Sequence, residues 1–342
     1  MPFWTFVALL MWPGRPWRID LLSHFVPHFA AAFVVLGGAM TLSKRTRTGA
    51  PAVWMAGLVL TGWHVAACAP PTGPVQQMSG GITIKVIQFN AHSQSSASDG
   101  AFVAWLQEQD ADLVCLIETP WSFAATHPWV RERYPYRVEP NVQLAWPNLL
   151  LSKHPLGLHE LEAENPEHMF SFVARRSVTV ALPNGAKVLW TAMHPVSPRT
   201  RSSWSKSVRE LERDAGILAR YLAKREVGAA PLPVLITGDF NSAPTGRLHQ
   251  MFARETGLIG WSPVLGAGTW PSKAGRWLGV PIDRVWTSRT LMVARMEIGP
   301  RFASDHLPVV AWLTEPGWVG SAKAPDTSAD SGISEPSTSD AR

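Results

Sequence analysis

The sequence predicts an α+β domain behind an apolar helical region, and three observations predict it. Short apolar runs with strand-like alternation recur between residues 82 and 314, and one after another ends in a polar residue. Amphipathic stretches with helical spacing separate them. Ahead of both lie two nearly uncharged apolar segments of membrane-spanning length.

In chain order, Pro2 to Trp12 is apolar but shorter than the ~17–25 residues a spanning helix needs. Leu21 to Leu42 is long enough and is interrupted only by His24, Pro27 and His28. Pro51 to Ala69 is a second such stretch. Residues 1–69 are therefore expected to form a membrane region, with helices over about 21–42 and 51–69 and a shorter segment at 2–12. Lys44-Arg45-Thr46-Arg47 lies between the two long segments. Basic loops stay cytoplasmic, which puts everything after residue 70 on the far side of the membrane. A rival reading starts at Met40, with the same basic run as an n-region, Val53 to Leu60 as an h-region and Val65-Ala66-Ala67-Cys68 as a lipoprotein cleavage box. It exports the same domain.

The chain has 342 residues, 46% of them apolar and 17% charged, with a net charge of +5. Residues 1–80 hold five basic residues against Asp20 alone, so residues 81–342 carry about +1. That distribution speaks against a broad basic surface for nucleic acid. Cys68 and Cys115 both lie in apolar stretches and give no disulfide framework.

Residues 70–81, rich in Pro and Gly, read as a linker. From Ile82 an alternating strand runs to Phe89, with Asn90 and His92 at its end. Asp99 is placed to cap a helix carrying Phe102, Trp105 and Leu106 on one face. Leu113 to Ile117 reads as a buried strand ending in Glu118, and Leu149 to Leu151 as another ending at Ser152-Lys153-His154-Pro155. Phe170 to Leu182 and Lys187 to Ala192 flank Pro183-Asn184-Gly185, a hairpin signal, and His194 follows the second strand. Ser203 to Ala223 has helical apolar spacing. Val234 to Ile236 is a strand that runs into Gly238-Asp239-Phe240-Asn241. Arg247 to Thr256 reads as a helix, Pro281 to Trp286 as a strand carrying Asp283, and Ser304-Asp305-His306 precedes the last strand, Leu307 to Leu313. Residues 315–342 are rich in Ser, Ala, Asp and Pro and are expected to be disordered.

Asn90, Glu118, His194, Asp239, Asn241, Asp283, Asp305 and His306 all stand at strand ends. Each alone is compatible with a cap or a turn. Together they predict a cleft at one edge of packed sheets. Carboxylates, His and Asn gathered without Cys suit a hard cation with oxygen ligands, and attack of water on phosphorus.

With these stretches in this order, residues 82–314 resemble the endonuclease/exonuclease/phosphatase superfamily, in a bacterial membrane-anchored branch. The matching motifs are Val86-Ile87-Gln88-Phe89-Asn90, Asp112 to Glu118, Leu150 to Pro155, Thr191-Ala192-Met193-His194, Gly238-Asp239-Phe240-Asn241, Pro281-Ile282-Asp283 and Ser304-Asp305-His306. The resemblance implies a four-layer α/β/β/α sandwich of two mostly antiparallel sheets, and a Mg²⁺-dependent phosphoric ester hydrolase in which Mn²⁺ can substitute. It implies Glu118, Asn90 and Asp305 as metal ligands. Asp239 would orient or deprotonate water, Asn241 would hold that water, and His194 and His306 would contact the phosphate. Asp283 would fix the His306 tautomer, and Asn148 and Ser152 would bind substrate. Arg284 departs from the branch, which often has His there. The implied partners are a phosphoester of open class (lipid, nucleotide or nucleic acid) and the bilayer of a bacterial inner membrane, with the domain periplasmic or extracellular. No protein partner is inferable. The alternatives are a nuclease acting on extracellular DNA or RNA and an inactive binding module of the same fold.

Overall fold

The structure, a computed structural model, describes residues 2–68, 83–92, 99–140, 148–158, 174–225, 232–263 and 265–314. The expected linker, the expected tail and the start of the hairpin's first strand lie outside the described residues.

Helices α1 (Pro2–Met11), α2 (Trp17–Ser23), α3 (Val26–Thr41) and α4 (Ala50–Cys68) come first. Then follow β1 (Thr83–Asn90), α5 (Gly100–Gln109), β2 (Leu113–Ile117), the short helices α6 (Phe123–Thr126) and α7 (Pro128–Arg133), β3 (Tyr136–Val138), β4 (Leu149–Ser152), β5 (Leu156–Leu158), β6 (Ala174–Ala181) and β7 (Lys187–His194). The chain continues through α8 (Arg201–Arg225), β8 (Val234–Asp239), α9 (Arg247–Thr256), β9 (Ile259–Trp261), the short helix α10 (Gly275–Leu278), β10 (Asp283–Thr287), β11 (Met292–Ile298) and β12 (Val309–Thr314).

The strands form two six-stranded sheets, ordered β11-β12-β1-β2-β4-β3 and β5-β6-β7-β8-β10-β9. β1 with β2 and β7 with β8 are the parallel pairs, and the other pairings are antiparallel. Side chains alternate across each strand, and this alternation builds the layers. Ile84 and Val86, Cys115 and Ile117, Trp190 and Ala192, Leu235 and Val285 meet between the sheets. Ile87, Phe89, Val114 and Leu116 face outward onto α5, while Leu189, Val234, Ile236 and Trp286 face α8 and α9. Asp99 caps α5, accepting from the backbone N–H groups of Ala101 and Phe102. The result is an α+β sandwich with helices on both outer faces.

The same alternation delivers the polar residues. On β1 the inner face reads Ile84, Val86, Gln88, Asn90, so it turns polar over its last two positions. On β8 it reads Leu235, Thr237, Asp239, and on antiparallel β10 Val285 is followed inward by Asp283. These three strands thus change character at the same edge.

The N-terminal region corrects one expectation. Residues 21–42 do not form a continuous helix, because α2 and α3 meet at 69° around His24 and Phe25. Pro27 sits in the first turn of α3, where its missing N–H costs nothing. The bend lets α2 lie on the sandwich. There Arg15 Nε donates to Asp20 Oδ1 at 2.9 Å, and Trp204 Nε1 donates to Asp20 Oδ2 at 2.7 Å. Among the described residues one helix, Ala50–Cys68, is by itself long and apolar enough to cross a membrane.

Candidate active site

Asp239 is the hub of the polar edge. It closes β8 and is buried, and its Oδ1 accepts the Asn241 backbone N–H at 2.8 Å. Its Oδ2 accepts from Asn90 Nδ2 at 3.1 Å and lies 3.8 Å from His194 Nε2 and 3.7 Å from His306 Nε2. Burial, and then the negative charge of Asp283, raise the Asp239 pKa, while His306 and His194 oppose the rise. A carboxylate so placed can take up a proton.

His194 reaches this hub because β7 and β8 run parallel with Met193 opposite Gly238. A Cβ on Gly238 would stand 1.8 Å from the Met193 carbonyl oxygen, so no larger residue permits that approach. Asn241 has a left-handed backbone, φ 49°, and its Nδ2 donates to the Pro195 carbonyl at 2.9 Å.

His306 and Asp283 form a buried pair, Nδ1 to Oδ2 at 2.8 Å. Burial alone would lower the imidazole pKa. The charges of Asp283 and Asp239, with the hydrogen bond to Asp283, outweigh it and push His306 up to about 10. The imidazolium is therefore the resting form at neutral pH, and Nε2–H points toward the hub. Asp283 Oδ1 accepts from Gln88 Nε2 at 3.0 Å, and its backbone N–H is held by Thr269 Oγ1.

Glu118 follows β2 in a left-handed conformation, φ 51°, with its N–H donating to Asn148 Oδ1 at 3.3 Å. Its Oε1 accepts from Asn90 Nδ2 at 3.3 Å and faces His194 Nε2 at 3.5 Å. Asp305 stands opposite, its Oδ2 accepting from Trp270 Nε1 at 2.9 Å, with His92 Nδ1 lying 3.4 Å from its Oδ1. Glu118 and Asp305 are 36% and 41% exposed, so each keeps a carboxylate open to the cleft.

Two donor sets could hold a cation. Asp239, Asp283 and His306 offer atoms within 4.8 Å of one another. However, Asp283 Oδ2 and His306 Nδ1 are spent on each other, and the trio is buried. Glu118 and Asp305 offer half-open carboxylate oxygens, the donor type a hard, partly hydrated cation selects, and the buried Asn90 lies beside them with its Oδ1 accepting the His92 N–H at 3.0 Å. The residues therefore fit a divalent metal on the Glu118 side.

The structure brings together Asn90, Glu118, His194, Asp239, Asn241, Asp283, Asp305 and His306 at one edge. Asn148 is at that edge too, but as the support of the Glu118 backbone. Ser152 is a correction. β4 is antiparallel to β2, so Leu149 pairs with Leu116 near the site, whereas Ser152 pairs with Leu113 at the opposite edge. There its Oγ donates to the His154 carbonyl and shapes a turn. Arg284 points away from the cleft onto the outer face, where it is buried and its Nη1 donates to the Trp261 carbonyl at 3.4 Å. Sequence reasoning gave no role in the site to Gln88, Thr269 or Trp270, although Gln88 stands in a matching motif. Gln88 could have been found, since it lies two residues before Asn90 on the same strand face.

Solved structures of two bacterial proteins are among those that share this fold. One is an endonuclease/exonuclease/phosphatase from Beutenbergia cavernae, 20% identical, covering 69% of this chain and 72% of that chain with a TM-score of 0.51. The other is an endonuclease/exonuclease/phosphatase from Bacteroides vulgatus, 14% identical, covering 68% and 99% with a TM-score of 0.50. No curated protein matches the chain. The family model described as Endonuclease/Exonuclease/phosphatase family matches residues 87–306, a span from β1 to His306 that takes in every residue of the cleft, and the chain belongs to that family.

Proposed function

We propose that the protein is a membrane-anchored, Mg²⁺-dependent phosphoesterase. The observation that carries this reading is the Asp239 hub, a buried carboxylate of raised pKa set between two histidines and beside the open Glu118 and Asp305 carboxylates. Glu118, Asn90 and Asp305 would hold the metal, with Mn²⁺ as a substitute. A bound Mg²⁺ would supply positive charge against that building on the phosphoryl and leaving oxygens.

The protein's own groups do the rest. Asp239 orients a water and takes one of its protons as the water oxygen bonds to phosphorus. Asn241, fixed by its bond to Pro195, holds that water in line. The ester P–O bond breaks, and the leaving oxygen takes a proton from solvent. His306, kept charged by Asp283, and His194 hold the phosphoryl oxygens. Gln88 and Thr269 keep Asp283 aimed at His306.

Residues 1–69 are the anchor in this proposal, and 82–314 the catalytic domain on the far side of the membrane from the Lys44–Arg47 loop. That loop lies at the end of the α3–α4 hairpin away from the sandwich, which supports the orientation. The test is hydrolysis of phosphomono- and phosphodiesters by the purified full chain in detergent with Mg²⁺. Turnover that a chelator stops and Asp239→Asn abolishes is expected. Turnover indifferent to both would overturn the proposal.

A further inference from the structure

Three loops border the cleft on the second sheet's side, and each is tied to the N-terminal helices. The loop after β7 offers the Pro198 carbonyl to Trp17 Nε1 at 2.7 Å. The loop after β8 offers the Thr245 carbonyl to Arg15 Nη2 at 2.6 Å, and Thr245 Oγ1 donates to the Ser23 carbonyl at 2.6 Å. The loop before β10 sends Trp270 to Asp305 and, eight residues on, puts the Leu278 carbonyl 2.8 Å from His28 Nε2 in the first turn of α3. The edge of the sandwich that carries the cleft is therefore the edge seated on the helical region.

The surface of this seam is apolar in an unusual arrangement. α2 buries Asp20 and Ser23 against the protein while Leu22 and, just beyond the helix, Phe25 are each 38% exposed, on a surface that also carries the exposed Arg18. Next to the foot of α3, Trp277 and Leu278 are each 67% exposed on α10. These residues continue the outward apolar surface of the α3–α4 hairpin, where Val35 and Leu58 are also exposed. α4 is about 28 Å long at ~1.5 Å per residue, close to the hydrocarbon thickness of a bilayer. Trp and Leu at the foot of such a hairpin sit at the level of the headgroups, where Trp is favoured.

We propose that α2 and α10 rest in the bilayer interface, that the mouth of the cleft faces the lipid, and that the substrate is a phosphoester carried by a membrane-embedded amphiphile. This rests on the phosphoesterase reading above. The substrate's apolar part stays in the bilayer while its phosphoester rises into the cleft, where water cleaves the P–O bond as already described.

The experiment has two arms on the full chain reconstituted in vesicles. In the first, single Leu278→Cys, Leu22→Cys and Lys187→Cys variants carry a fluorophore and are challenged with nitroxide-labelled lipid or aqueous iodide. The native Cys68 and Cys115 are buried, and the unsubstituted protein gives the labelling background. Lys187 is exposed at the start of β7, the opposite edge of the sheet. Quenching by lipid at 278 and 22, and by iodide at 187, is expected; iodide quenching at all three overturns the placement. In the second arm, Trp277→Asp with Leu278→Asp is assayed on a long-chain phosphoester in the vesicles and on bis(4-nitrophenyl) phosphate in solution. A loss of about 10-fold or more on the vesicle substrate alone is expected. Equal rates of variant and parent on the vesicle substrate would overturn the lipid-substrate proposal. No turnover of either substrate, with lipid quenching intact, would sink the phosphoesterase reading and the substrate while upholding the placement.

Discussion

Asp283→Asn isolates what the buried pair contributes. The carboxylate has two donors to satisfy, Gln88 Nε2 on Oδ1 and His306 Nδ1 on Oδ2. An amide in its place has one oxygen, which can keep His306 in position. Its NH₂ then faces Gln88, whose Oε1 has no partner among the described residues and can turn to accept. The substitution therefore preserves shape and removes charge. His306 sits at about 10 with its partner, against an ordinary value of 6.5. At about pH 8.5 an imidazole of ordinary pKa is only about 1% protonated, so the variant should lose about 100-fold in kcat/KM from protonation alone. Below about pH 6 most of that loss should return. The assay is the pH profile of kcat/KM for the parent, Asp283→Asn, His306→Gln and the double variant. The double variant should be little worse than either single, because groups acting as a unit are not additive. Additive losses, or a pH-independent Asp283→Asn defect, would refute the pair's assigned role.

Three further outcomes follow from the geometry. Thermal unfolding of chelated protein should show His306 stabilising the fold fully below pH 6.5, its unfolded value, with that contribution lost as pH rises toward about 10; a difference between parent and His306→Gln that stays constant across that window would contradict the raised pKa. Glu118→Gln should weaken Mg²⁺ binding by about 10-fold or more in calorimetry, with part of the activity recovered at high Mg²⁺, and unchanged affinity would move the metal to the Asp239 trio. Asp20→Ala strands Arg15 in a buried position and should cost about 3–5 kcal/mol in thermal unfolding, restored only in part when Arg15→Met is added because Trp204 Nε1 and the Arg247 N–H still lack their acceptor, whereas a change below about 1 kcal/mol would show that α2 is not held by this pair.

What the sequence made legible follows physical lines. β1, β2, β7 and β8 are central strands, so their apolar alternation is written across five or more residues and their polar ends stand out. β3, β5 and β9 are three-residue edge strands, too short to show a period. β11 lies on an edge with an irregular register and a half-exposed pattern, so its residues carry no clear strand signal. The bend between α2 and α3 is invisible to hydropathy, because Leu21 to Leu42 stays apolar straight through it. Its cause is tertiary: Asp20, Ser23 and Arg15 find partners on the sandwich. Pro27 was the local clue. In the cleft, charged and imidazole side chains at strand ends announced themselves, while Gln88 and Thr269 look like ordinary strand and loop residues until they are seen holding Asp283. Ser152 misled because a polar residue at a strand's end says nothing about which edge that end occupies, and here strand direction put it on the wrong one.

The most direct measurement of the central claim is hydrolysis in ¹⁸O-labelled water by the purified full chain with Mg²⁺, with mass analysis of both products. Attack of an Asp239-oriented water on phosphorus predicts one labelled oxygen in the phosphate product, none in the released alcohol, and no turnover with chelator or in Asp239→Asn. Label in the alcohol, or turnover that survives the loss of Asp239, would contradict it.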